Sequence, residues 1–153
     1  MKIADLGSII HGTLREVDLL EAFADCLEAL DDGDDYDQLI QDARDAAEHI
    51  EESDQDYAPD ETADILAELQ DALSEAAPPY AYFGTHEGDG SDFGFWLSES
   101  ALGDAIHDGE LLRVSDLSEV PAGHNGEVLV VNDHGNCTLY APTVAYKQVW
   151  AVV

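Results

Sequence analysis

Basic side chains are scarce in this chain of 153 residues, which has 5 lysines and arginines against 35 aspartates and glutamates and a formal net charge of −30. Because a polyanion gains nothing from contact with another polyanion, this shortage excludes non-specific binding to nucleic acid. Anionic membrane surfaces repel the chain for the same reason. The partners that its field favours are basic surfaces, and the attraction would speed encounter with them.

Cysteine and long apolar runs are scarce as well. Cys26 and Cys137 form neither a CxxC motif nor a framework of pairs. Two buried thiols in a reducing compartment are the favoured interpretation, and a single long-range disulfide is the alternative. No stretch approaches the roughly 20 apolar residues that span a bilayer, and the first residues lack a basic segment followed by an apolar run. We therefore expect a cytoplasmic protein without membrane contact.

The motifs of catalysis and metal binding are missing too. The sequence contains no GxSxG motif and no glycine-rich phosphate loop, and carboxylates are so abundant that no pair stands out for acid–base work. The acidic runs Asp31–Asp37 and Asp89–Asp92 do not fit a calcium-binding loop, and the turn histidines His124 and His134 lack further ligands at zinc spacing. We expect no enzyme, no cofactor and no dedicated metal site, with a carboxylate enzyme or a calcium binder as the weaker alternative.

The first half of the chain has the pattern of a helical bundle. With 45% hydrophobic residues the chain can bury a core. Apolar residues at helical spacing predict three helices within residues 13–76. The first would begin at Thr13, the second near a capping Asp34 or Asp35, and the third at Pro59. Short connections between them favour a small bundle.

The second half, after Pro78-Pro79, has the pattern of a sheet. Aromatic strands are predicted at Tyr80–Phe83 and Phe93–Trp96, and a short helix capped by Ser98 follows. The remaining predicted strands are Leu111–Val114, Glu127–Asn132, Asn136–Ala141 and Val144–Val153. We therefore expect the α+β class, with an acidic helical domain over residues 1–77 and an antiparallel sheet module with one short helix over residues 78–153.

The third predicted helix has a row of carboxylates on one face. Its members step by three and four residues, and they are Glu61, Asp64, Glu68, Asp71 and Glu75. Like charges at this spacing repel by roughly 0.2–0.5 kcal/mol per pair, so four successive pairs cost the helix on the order of 1–2 kcal/mol. A solvated face usually mixes both signs of charge, and this face does not. The repulsion indicates a basic partner.

A second acidic row follows the second predicted helix, where Arg44 interrupts it at one margin. Its members are Asp42, Asp45, Glu48 and Glu52. Two such helices lying 8–10 Å apart would place two rows of charge side by side, as the phosphate tracks of DNA lie across a groove. Along the third helix the spacing is one charge per ~5 Å, against ~3.4 Å for the phosphates of a strand. The candidate partner-binding residues are both rows together with Asp34 and Asp35.

The acid-striped region, residues 13–76, resembles the DNA-mimic inhibitors of phages and mobile elements, which include anti-restriction and anti-CRISPR proteins. The likeness is one of charge pattern: residues 1–77 hold 24 acidic and 3 basic side chains, and residues 78–153 hold 11 and 2. In addition, Gly88–Trp96, Val131–Tyr140 and Val149–Val153 look like a small module of phage and plasmid accessory proteins. The resemblance implies a non-enzymatic inhibitor of a host defence complex or nuclease, acting in the host cytoplasm and without direct nucleic-acid contact.

Salt adaptation is the main alternative. Proteins from high-salt cytoplasm are also rich in aspartate and poor in lysine, and this chain has 21 aspartates with only Lys2 and Lys147. Under that interpretation the chain is a salt-adapted or generic interaction module whose specific site lies on the C-terminal sheet. The aromatic residues from Tyr80 to Trp96 could form a recognition platform there, although half-buried sheet packing is the commoner role of such residues.

Overall fold

The computed structural model describes residues 1–53, 59–142 and 147–152, which form helices and strands of the α+β class, as predicted. The helices are α1 (Glu16–Leu30), α2 (Asp37–Ser53), α3 (Pro59–Glu75) and α4 (Glu99–Asp108). The strands are β1 (Gly7–Ile10), β2 (Ala81–His86), β3 (Asp89–Leu97), β4 (Leu111–Val114), β5 (Glu127–Val131), β6 (Cys137–Ala141) and β7 (Lys147–Ala151). Within the described ranges, no helix is both long and apolar enough to cross a bilayer.

The chain divides into two compact units, Met1–Trp96 and Leu97–Val153. The predicted division after residue 77 therefore falls inside the first unit. Residues 54–58, which connect the second and third predicted helices, lie outside the described residues, as do residues 144–146 at the start of the last predicted strand.

One core joins helices and sheet in the first unit. Phe23 of α1 packs edge-on against Phe83 of β2 and Phe93 of β3, with ring centroids 5.2 and 5.3 Å apart. The rings of Phe83 and Phe95 lie 5.0 Å apart in the same cluster. Because these aromatic side chains fill the core beside the helices, the helices do not form a bundle separate from the sheet. The sequence pattern could not show this, since the packing joins residues about 60 positions apart in the chain.

The sheet of the first unit has the order β1-β3-β2. Strands β2 and β3 form an antiparallel hairpin. Two residues connect them, whereas residues 84–92 separate the two strands predicted from the sequence. Strand β1 pairs antiparallel with β3, with Ser8 opposite Gly94. A Cβ atom on Gly94 would lie 2.8 Å from the Cα of Ser8, so glycine is what allows the two strands to approach.

The first helix begins later than predicted. Thr13 does not cap it: its hydroxyl accepts a hydrogen bond from the backbone N–H of Arg15 at 3.2 Å and donates to a carboxylate oxygen of Asp18. This local turn engages the hydroxyl that a capping box would need. Helix α1 therefore starts at Glu16 without a side-chain cap.

The second unit has a mixed sheet of order β4-β5-β6-β7. The prediction of an antiparallel sheet is wrong for β4 and β5, which pair in parallel. Residues 115–126 connect them, which is about the dozen residues that a parallel crossover needs. The prediction for α4 is confirmed, because the Ser98 hydroxyl accepts from the Ala101 N–H and Gly109 ends the helix with a φ of 76°.

Candidate partner-binding surface

Helices α2 and α3 are amphipathic, and burial of their apolar sides decides where their carboxylates lie. From α2 the core takes Ile40 and a series of alanines, and from α3 it takes Leu69, Ala72 and Leu73. These side chains recur at three- and four-residue spacing, so each helix turns a continuous stripe inward and its acid outward. The outward position of both acidic rows, predicted from periodicity, is confirmed.

The two acidic rows meet across a groove of about 360 Å³ between α2 and α3. Its walls are exposed carboxylates from both helices, and its floor consists of buried and half-buried apolar side chains. The walls are Asp42, Asp45, Glu61, Asp64 and Glu68, and the floor is Leu39, Ala46 and Ile65. We call this feature the α2–α3 groove. Among the described residues that line it, none is basic.

Six predicted site residues lie outside the α2–α3 groove. All of them are exposed: Asp34 and Asp35 in the loop before α2, Glu48 and Glu52 on α2, and Asp71 and Glu75 on α3. Glu75 differs from the rest, because its carboxylate accepts a hydrogen bond from the Tyr36 hydroxyl at 3.0 Å. The groove is thus built from the first half of the α3 row and the first half of the α2 row.

Two glutamines orient the α2 wall of the groove. The Gln38 side-chain amide donates to Asp42 at 2.7 Å, and the Gln41 amide donates to Asp45 at the same distance. Each pair is four residues apart, the spacing at which helical side chains meet. An amide donor fixes a carboxylate without neutralising it. The glutamines therefore orient both aspartates without supplying a counter-charge, and this role was not foreseen from the sequence.

Asp31, rather than Asp34 or Asp35, orders the acidic loop before α2. One of its carboxylate oxygens accepts from the Gly33 N–H at 3.2 Å and the other from the Tyr36 N–H at 3.3 Å. No such contact engages Asp34 or Asp35 within the described residues, so their charges stand exposed at the surface.

Arg44 points away from the groove, to the side of α2 that faces α1. Its Nη2 atom lies 3.0 Å from an Asp25 oxygen and 2.8 Å from a Glu28 oxygen, and its Nη1 donates to the other Glu28 oxygen at 3.2 Å. Hydrogen bonding to Arg44 holds the pKa of Glu28 below its usual value, and the two carboxylates raise the pKa of Arg44. On the α1 side of α2, one guanidinium therefore serves as the counter-charge to two carboxylates of α1.

The other two basic residues of the first unit are also engaged elsewhere. Arg15 pairs with Asp18 at 3.2 Å, and the Lys2 ammonium donates to the carbonyl of Ala29 at 3.1 Å. With Arg44 these are the only lysines and arginines in residues 1–96. None of them neutralises the groove walls.

The arrangement suits several cationic side chains on the surface of a partner rather than a single metal ion. Within the described residues, no three histidine, cysteine, aspartate or glutamate side chains converge as metal ligands. Side chains with an aliphatic stem and a cationic head fit it, because the stem can cover Leu39 or Ile65 while the head reaches a carboxylate. No protein-family model matches the chain, and no curated protein or solved structure is significantly similar to it.

Proposed function

We propose that the protein is a non-enzymatic inhibitor that occupies the basic, nucleic-acid-binding surface of another protein. The observation that carries this proposal is the α2–α3 groove, in which carboxylates from two helices face each other and no basic side chain lines the described part. Helices in contact have axes 8–10 Å apart, so the two walls present parallel rows of negative charge. A protein channel that holds a duplex meets a similar pair of rows.

The partner is a protein rather than a nucleic acid. A net charge of −30 repels phosphate, whereas it attracts the lysines and arginines that would otherwise contact phosphate. Of these, arginine matches the walls best, because its planar guanidinium binds carboxylates in a bidentate manner. The target class that we propose is a host defence nuclease or surveillance complex, met in the host cytoplasm, as in anti-restriction or anti-CRISPR inhibition.

A charge-reversal experiment tests the role of the groove. The groove variant combines Glu61→Lys, Asp64→Lys and Glu68→Lys, which reverses the α3 wall. The matched control combines Glu99→Lys, Asp104→Lys and Asp108→Lys, which makes the same change in net charge on exposed positions of α4. Both variants and the unchanged chain serve as bait in nuclease-treated lysate at low and high salt, and each captured protein is then tested for binding to duplex DNA.

We expect the unchanged chain and the α4 control to capture proteins that also bind DNA, and the groove variant to lose them. Raising the salt should weaken capture steeply, since the contacts are ionic. Equal capture by the groove variant, with its circular dichroism spectrum unchanged, would contradict the proposal.

Salt adaptation is the second candidate, and the second unit supplies the observation that favours it. Residues 97–153 hold 8 acidic and 2 basic side chains, so acid also covers a unit that lacks the groove. Thermal melts in increasing KCl separate the two explanations. A halophilic protein needs molar salt to stay folded, whereas we expect this fold to melt cooperatively at low salt as well.

A further inference from the structure

The outer face of the β2–β3 hairpin has three aromatic side chains around one glycine. Phe83 and Phe95 point into the core, so their neighbours Tyr82, Gly84 and Trp96 point to the opposite face. The Trp96 Nε1–H donates to the carbonyl of Gly84 at 3.1 Å.

Tyr82 and His86 complete this group. A Cβ on Gly84 would lie 3.5 Å from the Tyr82 ring, which places that ring over the glycine. The His86 and Trp96 rings meet edge to face with centroids 4.7 Å apart. We call Tyr82, His86 and Trp96 the hairpin aromatic cluster. His86 is exposed, and the other two are half-buried.

Backbone hydrogen bonds hold all three rings of the cluster in place. Besides the Trp96 bond, the Tyr82 hydroxyl donates to the Thr85 carbonyl at 3.2 Å, and His86 Nδ1 accepts from the Gly88 N–H at 3.0 Å. Rings whose polar atoms are already bonded lose little freedom when a ligand arrives, so the cluster is pre-organised for binding.

The charge beside the cluster is negative. Glu87 and Asp89 are exposed at the hairpin turn. The pKa of Tyr82 is raised by burial and further by the charge of Glu87, and the pKa of Asp89 is lowered by its bonds to Ser91 and further by His86. Both carboxylates therefore act on the cluster directly. Aromatic faces attract cations through their ring quadrupoles, and adjacent carboxylates strengthen that attraction.

We propose that the hairpin aromatic cluster binds an arginine side chain of a partner protein. A guanidinium stacks flat on indole and phenol rings and bonds to carboxylates at its edge, which matches the composition of this face. This site and the α2–α3 groove share no residues, so the arginine site can be tested independently of the groove.

Tryptophan fluorescence reports on this site selectively. The chain has two tryptophans, and Trp150 is buried, with 6% of its surface exposed, whereas Trp96 belongs to the cluster. The probe is the peptide acetyl-Gly-Arg-Gly-amide at high ionic strength, which screens general attraction to the acidic surface. Its neutral counterpart replaces arginine by citrulline, which has nearly the same shape without the charge.

We expect the arginine peptide to change the fluorescence saturably and the citrulline peptide to have no effect at equal concentration. Trp96→Phe removes the reporter, so loss of the signal in that variant assigns the change to Trp96 rather than to Trp150. Tyr82→Ala should weaken binding by about two- to fivefold, the range for an exposed cation–π contact. Tyr82→Phe, which keeps the ring but loses the hydrogen bond to Thr85, should weaken it less. The pair Glu87→Gln and Asp89→Asn, both at exposed positions, should weaken binding without affecting the fold.

The groove variant should bind the arginine peptide like the unchanged chain, which keeps this test separate from that of the proposed function. No saturable change with the arginine peptide, an equal response to citrulline, or full binding by both the Tyr82→Ala and the Glu87/Asp89 variants would overturn the inference.

Discussion

The contact between α1 and α2 and the contact between α2 and α3 both contain carboxylates, but they differ in counter-charge. Towards α1, Arg44 bridges Asp25 and Glu28 at 2.8–3.2 Å. Towards α3, Asp42 and Asp45 face the carboxylates of α3 across the groove, and among the described residues their hydrogen-bond donors are neutral amides. Helix α2 thus supplies the counter-charge to carboxylates of α1 on one side and carries uncompensated carboxylates on the other.

This difference separates carboxylates that serve the fold from carboxylates that cost it stability. On the α1 side, the carboxylates form hydrogen bonds with Arg44. On the α3 side, the carboxylates of the two helices repel each other, and no lysine or arginine of residues 1–96 relieves this repulsion. Packing must then hold α3 in place. Surfaces that cost stability are typical of binding sites, and on this ground we propose that the partner binds at the groove rather than at the acidic surface in general.

The largest expected effect is the loss of the packing beneath the groove. Leu69, on the inward side of α3, is fully buried. We expect Leu69→Ala to lower the free energy of unfolding by about 2–5 kcal/mol, the usual range for such a cavity, as measured by urea denaturation. The control is Leu14→Ala, at a position that is 64% exposed, where the loss should stay below about 0.5 kcal/mol. Similar losses in the two variants would show that packing does not hold α3.

A cation placed in the groove should raise stability while it weakens partner binding. Asp64 is three residues from Glu61 and four from Glu68, so Asp64→Lys replaces two repulsive pairs by two attractive ones. We expect a gain of about 1 kcal/mol in the free energy of unfolding at low ionic strength, together with weaker capture of basic partners. A loss of stability would contradict the view that the α3 row is under repulsion.

The smallest expected effect is the removal of the counter-charge on the α1 side. Arg44→Gln should lower Tm by a few degrees at low salt, and molar salt should erase the difference because exposed ion pairs are screened. The bond to Arg44 lowers the pKa of Glu28 in the folded state. Its stabilisation is therefore present above the unfolded pKa, near 4.5, and is lost as the pH falls through the lower folded value.

Thermal melts of Arg44→Gln and the unchanged chain between pH 3 and pH 7 check this sign. We expect the difference in Tm between the two proteins to be largest near pH 7 and to shrink below about pH 4. A difference that stays constant as the pH falls would mean that Arg44 acts by packing rather than by its charge.

The features that were predictable from the sequence are the local ones. Periodicity places Glu61, Asp64 and Glu68 on one face of α3, and the capping serine and terminal glycine bound α4, because these signals lie within a few residues of each other. Even the glutamine bonds to Asp42 and Asp45 follow a readable four-residue spacing.

The features that were not predictable depend on distant partners. In the sequence, Arg44 only interrupts the acidic row. Its partners on α1, Glu28 and Asp25, lie 16 and 19 residues earlier in the chain, so the sequence pattern does not reveal them. The parallel pairing of β4 with β5, and the docking of β1 at Gly94, depend on a crossover and a steric approach that no local pattern encodes. The groove itself exists only once α2 and α3 pack together.

Displacement of DNA tests the central proposal most directly. A captured partner is bound to fluorescent duplex DNA, and the unchanged chain, the groove variant or the α4 control is titrated into the complex while anisotropy is recorded. We predict that the unchanged chain and the α4 control release the DNA, and that the groove variant does not. A partner that holds the chain and the DNA at the same time would contradict the account.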